Sequence, residues 1–166
     1  MRHISFVATR PTSKFKIGAM VIMKILGTDY SHVAVIFHGS NGRRYPYEAN
    51  GHTGVNFVGH DIWSKRNRLI MEFSFDFADQ HFEEILDYAM GMCGTDYGFL
   101  QNIGIKLCDW IPFIKKNPFT TGKNCSELVK KIAVYAGIDI ADDDNLVTPR
   151  QAIDFLRAAV QKREAI

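Results

Sequence analysis

Cys125 follows Asn124 and opens a run with helical periodicity through Leu128, Val129, Ile132, Ala133 and Ala136. Asn124 as the cap and Glu127 three residues on make a capping-box-like pair, and Gly137 supplies the stop. The sulfur of Cys125 then stands at the start of a helix, near the positive end of its macrodipole. A free thiol with a pKa of about 8.5 is only about 3% thiolate at pH 7. A helix N-terminus and a nearby imidazolium lower that pKa and turn the thiolate into a resting nucleophile. The first-turn N–H groups also point at any oxyanion formed beside it. Cysteine is equally a common buried residue, and spacing alone favours that inert role.

A nucleophilic thiol needs a base, and six histidines are present: His3, His32, His38, His52, His60 and His81. His32 opens the most hydrophobic β-prone segment, directly after the turn Gly27-Thr28-Asp29-Tyr30-Ser31. That placement gives rigid support with one end open to a cleft. His38 falls on the same strand face at the far end, and His3, His60 and His81 read as surface or half-buried residues. A third group usually orients the imidazole through its other nitrogen. Glu48 lies on the following strand and is suited to hold the ring and stabilise the imidazolium. Asn50, His52 and Asn56 compete for that role in other registers, and a solvated strand carboxylate is the plain alternative. Cys, His and Glu also ligate zinc, but no H-E-x-x-H, C-x-x-C or H-x-x-x-H spacing occurs, so neither metal nor cofactor is expected.

The elements that must bring these residues together read as strands first and helices later. Strands are expected at Ile4–Ala8, Ala19–Leu26, His32–Phe37, Arg44–Ala49, Val55–Val58 and Leu69–Phe75, with a turn at Gly27–Asp29 and a hairpin loop at Gly39–Gly42. His32–Phe37, β-branched on both faces, suits the middle of a sheet. Helices are expected from Asp79, as cap, through Met92, from Asn124, and from the Thr148-Pro149-Arg150-Gln151 start. The order implies an α+β fold with an antiparallel sheet. The apolar stretch from Phe99 to Phe119 reads as a core helix and a Pro-broken connection, with a lipid- or substrate-facing segment as the alternative.

The 166 residues, 46% hydrophobic and 23% charged, suit a single domain, 1–166, and exclude disorder. A net charge of +2 gives no reason to expect nucleic acid as a partner. Three cysteines leave at least one thiol free. Met1–Lys16 carries charges where a secretory signal needs an apolar stretch, and no run reaches the ~20 apolar residues of a membrane span. A reduced, cytoplasmic protein is expected.

Tyr30-Ser31-His32-Val33-Ala34-Val35-Ile36 resembles the histidine strand of the circularly permuted NlpC/P60, papain-like hydrolases, the YiiX/YebB-like group. Tyr47-Glu48-Ala49-Asn50-Gly51-His52-Thr53-Gly54-Val55 is similar to their next strand, which bears the acidic or polar third residue. Asn124-Cys125-Ser126-Glu127-Leu128-Val129 resembles their nucleophile helix, Gly94-Thr95-Asp96-Tyr97-Gly98-Phe99 the element before it, and Thr148-Pro149-Arg150-Gln151-Ala152 the start of the last helix. The five strings stand in the family's order, histidine before cysteine, and span most of the chain from Lys16 onward. Residues 1–15 are then an N-terminal extension, with Ile4–Ala8 as an added edge strand or a partner contact. The resemblance implies a permuted papain-like fold in which the nucleophile helix packs on an antiparallel sheet. It implies Cys125 as nucleophile, His32 as general base and acid, Glu48 as the orienting residue and Tyr97 near the oxyanion. Gly98 departs from the Asp that many relatives carry beside that tyrosine. The implied activity is hydrolysis of an amide or ester bond through a thioester, on cell-wall peptides or, as in the lecithin–retinol acyltransferase type, on acyl esters. A non-catalytic papain-like binding module is the alternative.

Overall fold

The computed structural model describes residues 1–12, 17–51, 53–96, 124–138 and 148–164. Five strands, β1 (Arg2–Pro11), β2 (His32–His38), β3 (Arg44–Asn50), β4 (Gly54–Phe57) and β5 (Asn67–Phe77), form one antiparallel sheet in the order β4-β3-β2-β1-β5. The described helices are α1 (Ile17–Leu26), α2 (His60–Arg66), α3 (Asp79–Gly91), α4 (Cys125–Tyr135) and α5 (Pro149–Glu164). The architecture is α+β, as expected.

Strand pleating sorts the core into two faces. On one face Phe6, Val33, Val35, Phe37, Tyr47 and Phe75 meet Phe82 and Ile85 of α3, Leu128 and Ile132 of α4, and Ile153 and Leu156 of α5. Each such side chain contributes about 1.5–3 kcal/mol on full burial, so this layer holds the helices to the sheet. Inside it the Tyr47 hydroxyl donates to the Ala89 carbonyl at 2.7 Å. The other face carries a smaller cluster, Val7, Ala34 and Ile36, covered by Trp63 of α2.

Three sequence expectations change. Ile4–Ala8 is no edge strand: β1 runs between β2 and β5, and Ile4, Ser5, Phe6, Val7, Ala8 and Thr9 are all fully buried. A segment small or apolar on both faces can be covered on both, and that outweighs its terminal position. Ala19–Leu26 is helical rather than extended, because its Ala, two Met, Lys and Leu are strong helix formers. Gly27, at φ +61, ends it, with the Thr28 N–H reaching back to the Met23 carbonyl. Finally, Asp79 is not the cap of α3. Ala78 holds that place without a side-chain bond, and Asp79 in the first turn pairs with the N-terminal ammonium at 3.3 Å.

Asn124 and Thr148 cap the other two expected helices as read, but the Glu127 side chain does not complete a box with Asn124. Asn124 Oδ1 accepts the Glu127 N–H at 2.7 Å, while Glu127 itself pairs with Lys131. Thr148 and Gln151 make a reciprocal box: the Thr148 N–H donates to Gln151 Oε1 and the Gln151 N–H to Thr148 Oγ1. The expected Phe99–Phe119 segment lies outside the described residues. Among the described residues no helix is long and apolar enough to cross a membrane.

Candidate active site

The β2–β3 ladder runs from His38–Arg44 to Val35–Tyr47 and stops there. His32–Ala34 and Glu48–Asn50 therefore lie beyond the paired stretch, at the end of the sheet approached by the N-terminus of α4. Val33, past the last pair, lies close enough for its backbone N–H to favour the Cys125 thiolate. Capping by Asn124 fixes the helix start, so Cys125 is its first residue. By helix geometry the N–H groups of Cys125 and Ser126 have no intrahelical acceptor.

The sulfur lies beside the His32 imidazole, and the two groups shift each other's proton affinity. His32 Nε2 is already committed: it donates to Glu48 Oε2 at 3.0 Å. Cys125, His32 and Glu48 stand in one line, with Cys125 4% exposed and the His32 side chain 18% exposed.

The electrostatics follow from that line. Burial pushes the Cys125 thiol up, but the His32 charge and hydrogen bond, the Val33 N–H and the Ser126 hydroxyl outweigh it, and the thiol lies below its usual range. For His32, burial favours the neutral ring. Cys125 and then Glu48 reverse this and hold its pKa up to about 10. Glu48 is pushed up by burial and pulled down further by His32, Asn50 and Arg66, so it stays ionised. The shifts of all three groups run toward their charged forms.

Two further residues complete the surroundings of Glu48, and neither was singled out from sequence. The Trp63 indole N–H donates to Oε2 at 3.0 Å, and Arg66 Nη2 lies 3.5 Å from Oε1. Both belong to α2, a helix absent from the sequence expectation. Its signals were modest: Gly59 before it, Asp61 in the first turn, and Lys65 and Arg66 in the last. Asn50, a competitor of Glu48, instead supports it by donating to Oε1 at 2.9 Å. Asn56 bonds the Thr53 carbonyl. Tyr97 and His52 lie outside the described residues.

The remaining histidines do not join this line. His38 bonds Ser5 at 2.9 Å and stacks on His3, His60 adjoins Trp63, and His81 faces Glu84. Cys93 is a separate exposed thiol. Among the described residues no group of three His, Cys, Asp or Glu side chains is placed to hold a metal. A cavity of about 350 Å³ around Phe37, Gly39, Tyr45, Phe57 and Phe82 opens at the opposite end of β2, away from the thiol. Compared with known protein families, curated proteins and solved structures, the chain returns no match.

Proposed function

We propose that this chain is a cysteine hydrolase acting on an amide or ester bond. One observation carries the reading: a helix-start thiol lies beside an imidazole whose Nε2 is held by a buried carboxylate. The Cys125 thiolate attacks the substrate carbonyl carbon, and the negative charge moves to the carbonyl oxygen. The free N–H groups at the start of α4 are suited to receive that oxyanion. The His32 imidazolium gives its proton to the leaving amine or alcohol as the carbon–heteroatom bond breaks, leaving a thioester. Neutral His32 then takes a proton from water, hydroxide adds to the thioester, and the acid leaves as thiolate and imidazolium are restored. Glu48 holds the ring throughout.

A permuted papain-like arrangement is part of the proposal. It is supported by the histidine strand preceding the nucleophile helix in the chain and by that helix packing on β2 and β3 of an antiparallel sheet. Peptides, amides and acyl esters are the substrate classes this chemistry serves.

Iodoacetamide labelling of Cys125 across pH tests the reading. Labelling at pH 6 about tenfold faster than a model thiol is expected, and it is lost in His32→Ala. Turnover of thioester or activated-ester reporters falls about 10²–10⁴-fold in the same variant. A Cys125 that ionises like a free thiol, or labels equally without His32, overturns the proposal. The 4% exposure of Cys125 favours a second reading, a module that binds in the same cleft without turnover. Reporter binding retained in Cys125→Ala, with no turnover by the native chain, would select it.

A further inference from the structure

Glu48 sits where the sheet no longer holds β3 against β2. Extending the register past Val35–Tyr47 would set Asn50 across from His32, so Glu48 reaches the ring diagonally and needs support from elsewhere. α2 provides it. Trp63 and Arg66, one helical turn apart, meet the two oxygens of the same carboxylate. Oε2 accepts from His32 and Trp63, each at 3.0 Å; Oε1 accepts from Asn50 at 2.9 Å and faces Arg66 at 3.5 Å. A carboxylate offers about four lone-pair positions; three hydrogen bonds and the Arg66 ion pair engage both of its oxygens.

The helix is itself tied down. Thr12 donates its N–H to the Arg66 carbonyl at 3.0 Å and its hydroxyl to the Lys65 carbonyl at 2.7 Å, while Asn67 Nδ2 reaches the Trp63 carbonyl at 3.1 Å. Trp63 is 3% exposed. The Arg66 guanidinium turns toward Glu48 although its buried Nε gains no acceptor there.

We infer that Trp63 and Arg66 are positioning residues for the thiol–imidazole pair, acting through Glu48. Trp63 fixes which oxygen faces the ring, and Arg66 keeps the carboxylate an anion; their role in turnover rests on the hydrolase reading. All four groups point inward, so the site selects an acid over an amide as its third residue. The charged groups facing Glu48 are His32 from β2 and Arg66 from α2; Trp63 and Asn50 are neutral donors.

The test is carbon-13 carboxyl NMR titration of Glu48 together with the pH profile of Cys125 alkylation by iodoacetamide. Both are run on the full chain and on Trp63→Phe and Arg66→Met, which keep apolar bulk. Each variant is expected to raise the proton affinity of Glu48 about tenfold, as loss of a donor to a charged acceptor implies. The acid limb of alkylation should move to higher pH in parallel, because protonated Glu48 no longer supports the imidazolium. An unmoved Glu48 titration in both variants overturns the inference, and so does a Glu48 shift that leaves the alkylation profile in place. Failure of the hydrolase reading looks different: the native Cys125 titrates as an ordinary thiol, while the Glu48 titration still decides whether α2 sets the carboxylate.

Discussion

Glu48 and Thr9 are opposite cases of buried polarity beside the same imidazole. Glu48 accepts three hydrogen bonds and pairs with Arg66. Replacing it with Gln turns an NH₂ group toward one pair of donors and leaves them unpaired, at a cost of about 2–4 kcal/mol. Urea unfolding of Glu48→Gln checks this, and an unchanged midpoint would contradict the donor assignment. Thr9 lies across the β1–β2 ladder from His32, is fully buried, and its hydroxyl has no partner among the described residues. Thr9→Val keeps the shape and removes that unpaired group, so it should stabilise the fold by about 1 kcal/mol. Loss of stability would mean that the hydroxyl has a use the native contacts do not reveal.

At the scale of elements, the site is made by where pairing ends. The β2–β3 ladder stops short of His32, α4 starts at that end, and α2 holds the Glu48 side chain from the other face while β4 keeps its backbone paired. The far edge of the sheet has its own junction. The Val55 N–H donates to the Thr95 carbonyl, and the Gly94 N–H to the Val55 carbonyl, so the turn after α3 docks on β4. Gly54 makes that approach feasible: its φ is +65, and an added Cβ would stand 2.4 Å from the Thr95 oxygen. Gly54→Ala combines backbone strain with a backbone clash and should cost about 2–4 kcal/mol. Thermal unfolding checks it, and a change in Tm under 2 °C, less than about 1 kcal/mol requires, would count against the docking.

Across the whole molecule, acid sensitivity is expected to come from a polar patch remote from the thiol. His38 is held down to about 4, by burial first and then by the His3 and Arg44 charges, against the pull of Glu72. The unfolded chain takes up a proton at this residue near 6.5 and the folded chain does not. Stability contributed by neutral His38 is therefore present above pH 6.5 and drains away as pH falls toward 4. His38→Gln keeps a partner for Ser5 and should flatten the fall in Tm between pH 7 and 5. An unchanged slope would place the acid sensitivity elsewhere.

Much of this arrangement was legible in the residues, for identifiable reasons. His32–Phe37 announces an inner strand because both its faces are apolar, and the Asn124 and Thr148 starts are legible because capping is local chemistry. α1 was misread because a short apolar run carries no period. α2 went unread because seven residues give a helix less than two turns to declare itself. Glu48 was found beside its competitors, but register alone favours Asn50. Only the break in the ladder and the longer reach of Glu decide between them. Trp63 had no local sign at all, since its partner arrives from another strand by tertiary folding.

The inner place of β1, between β2 and β5, has a consequence during synthesis. This strand leaves the ribosome ahead of both its neighbours; β2 closes one flank once residue 38 is free, while the other waits for residues 67–77. At about 5–20 residues per second that flank stays bare for seconds. A nascent chain stalled between β2 and β5 should therefore be a good client for strand-capturing chaperones, and one released past residue 77 a poor one.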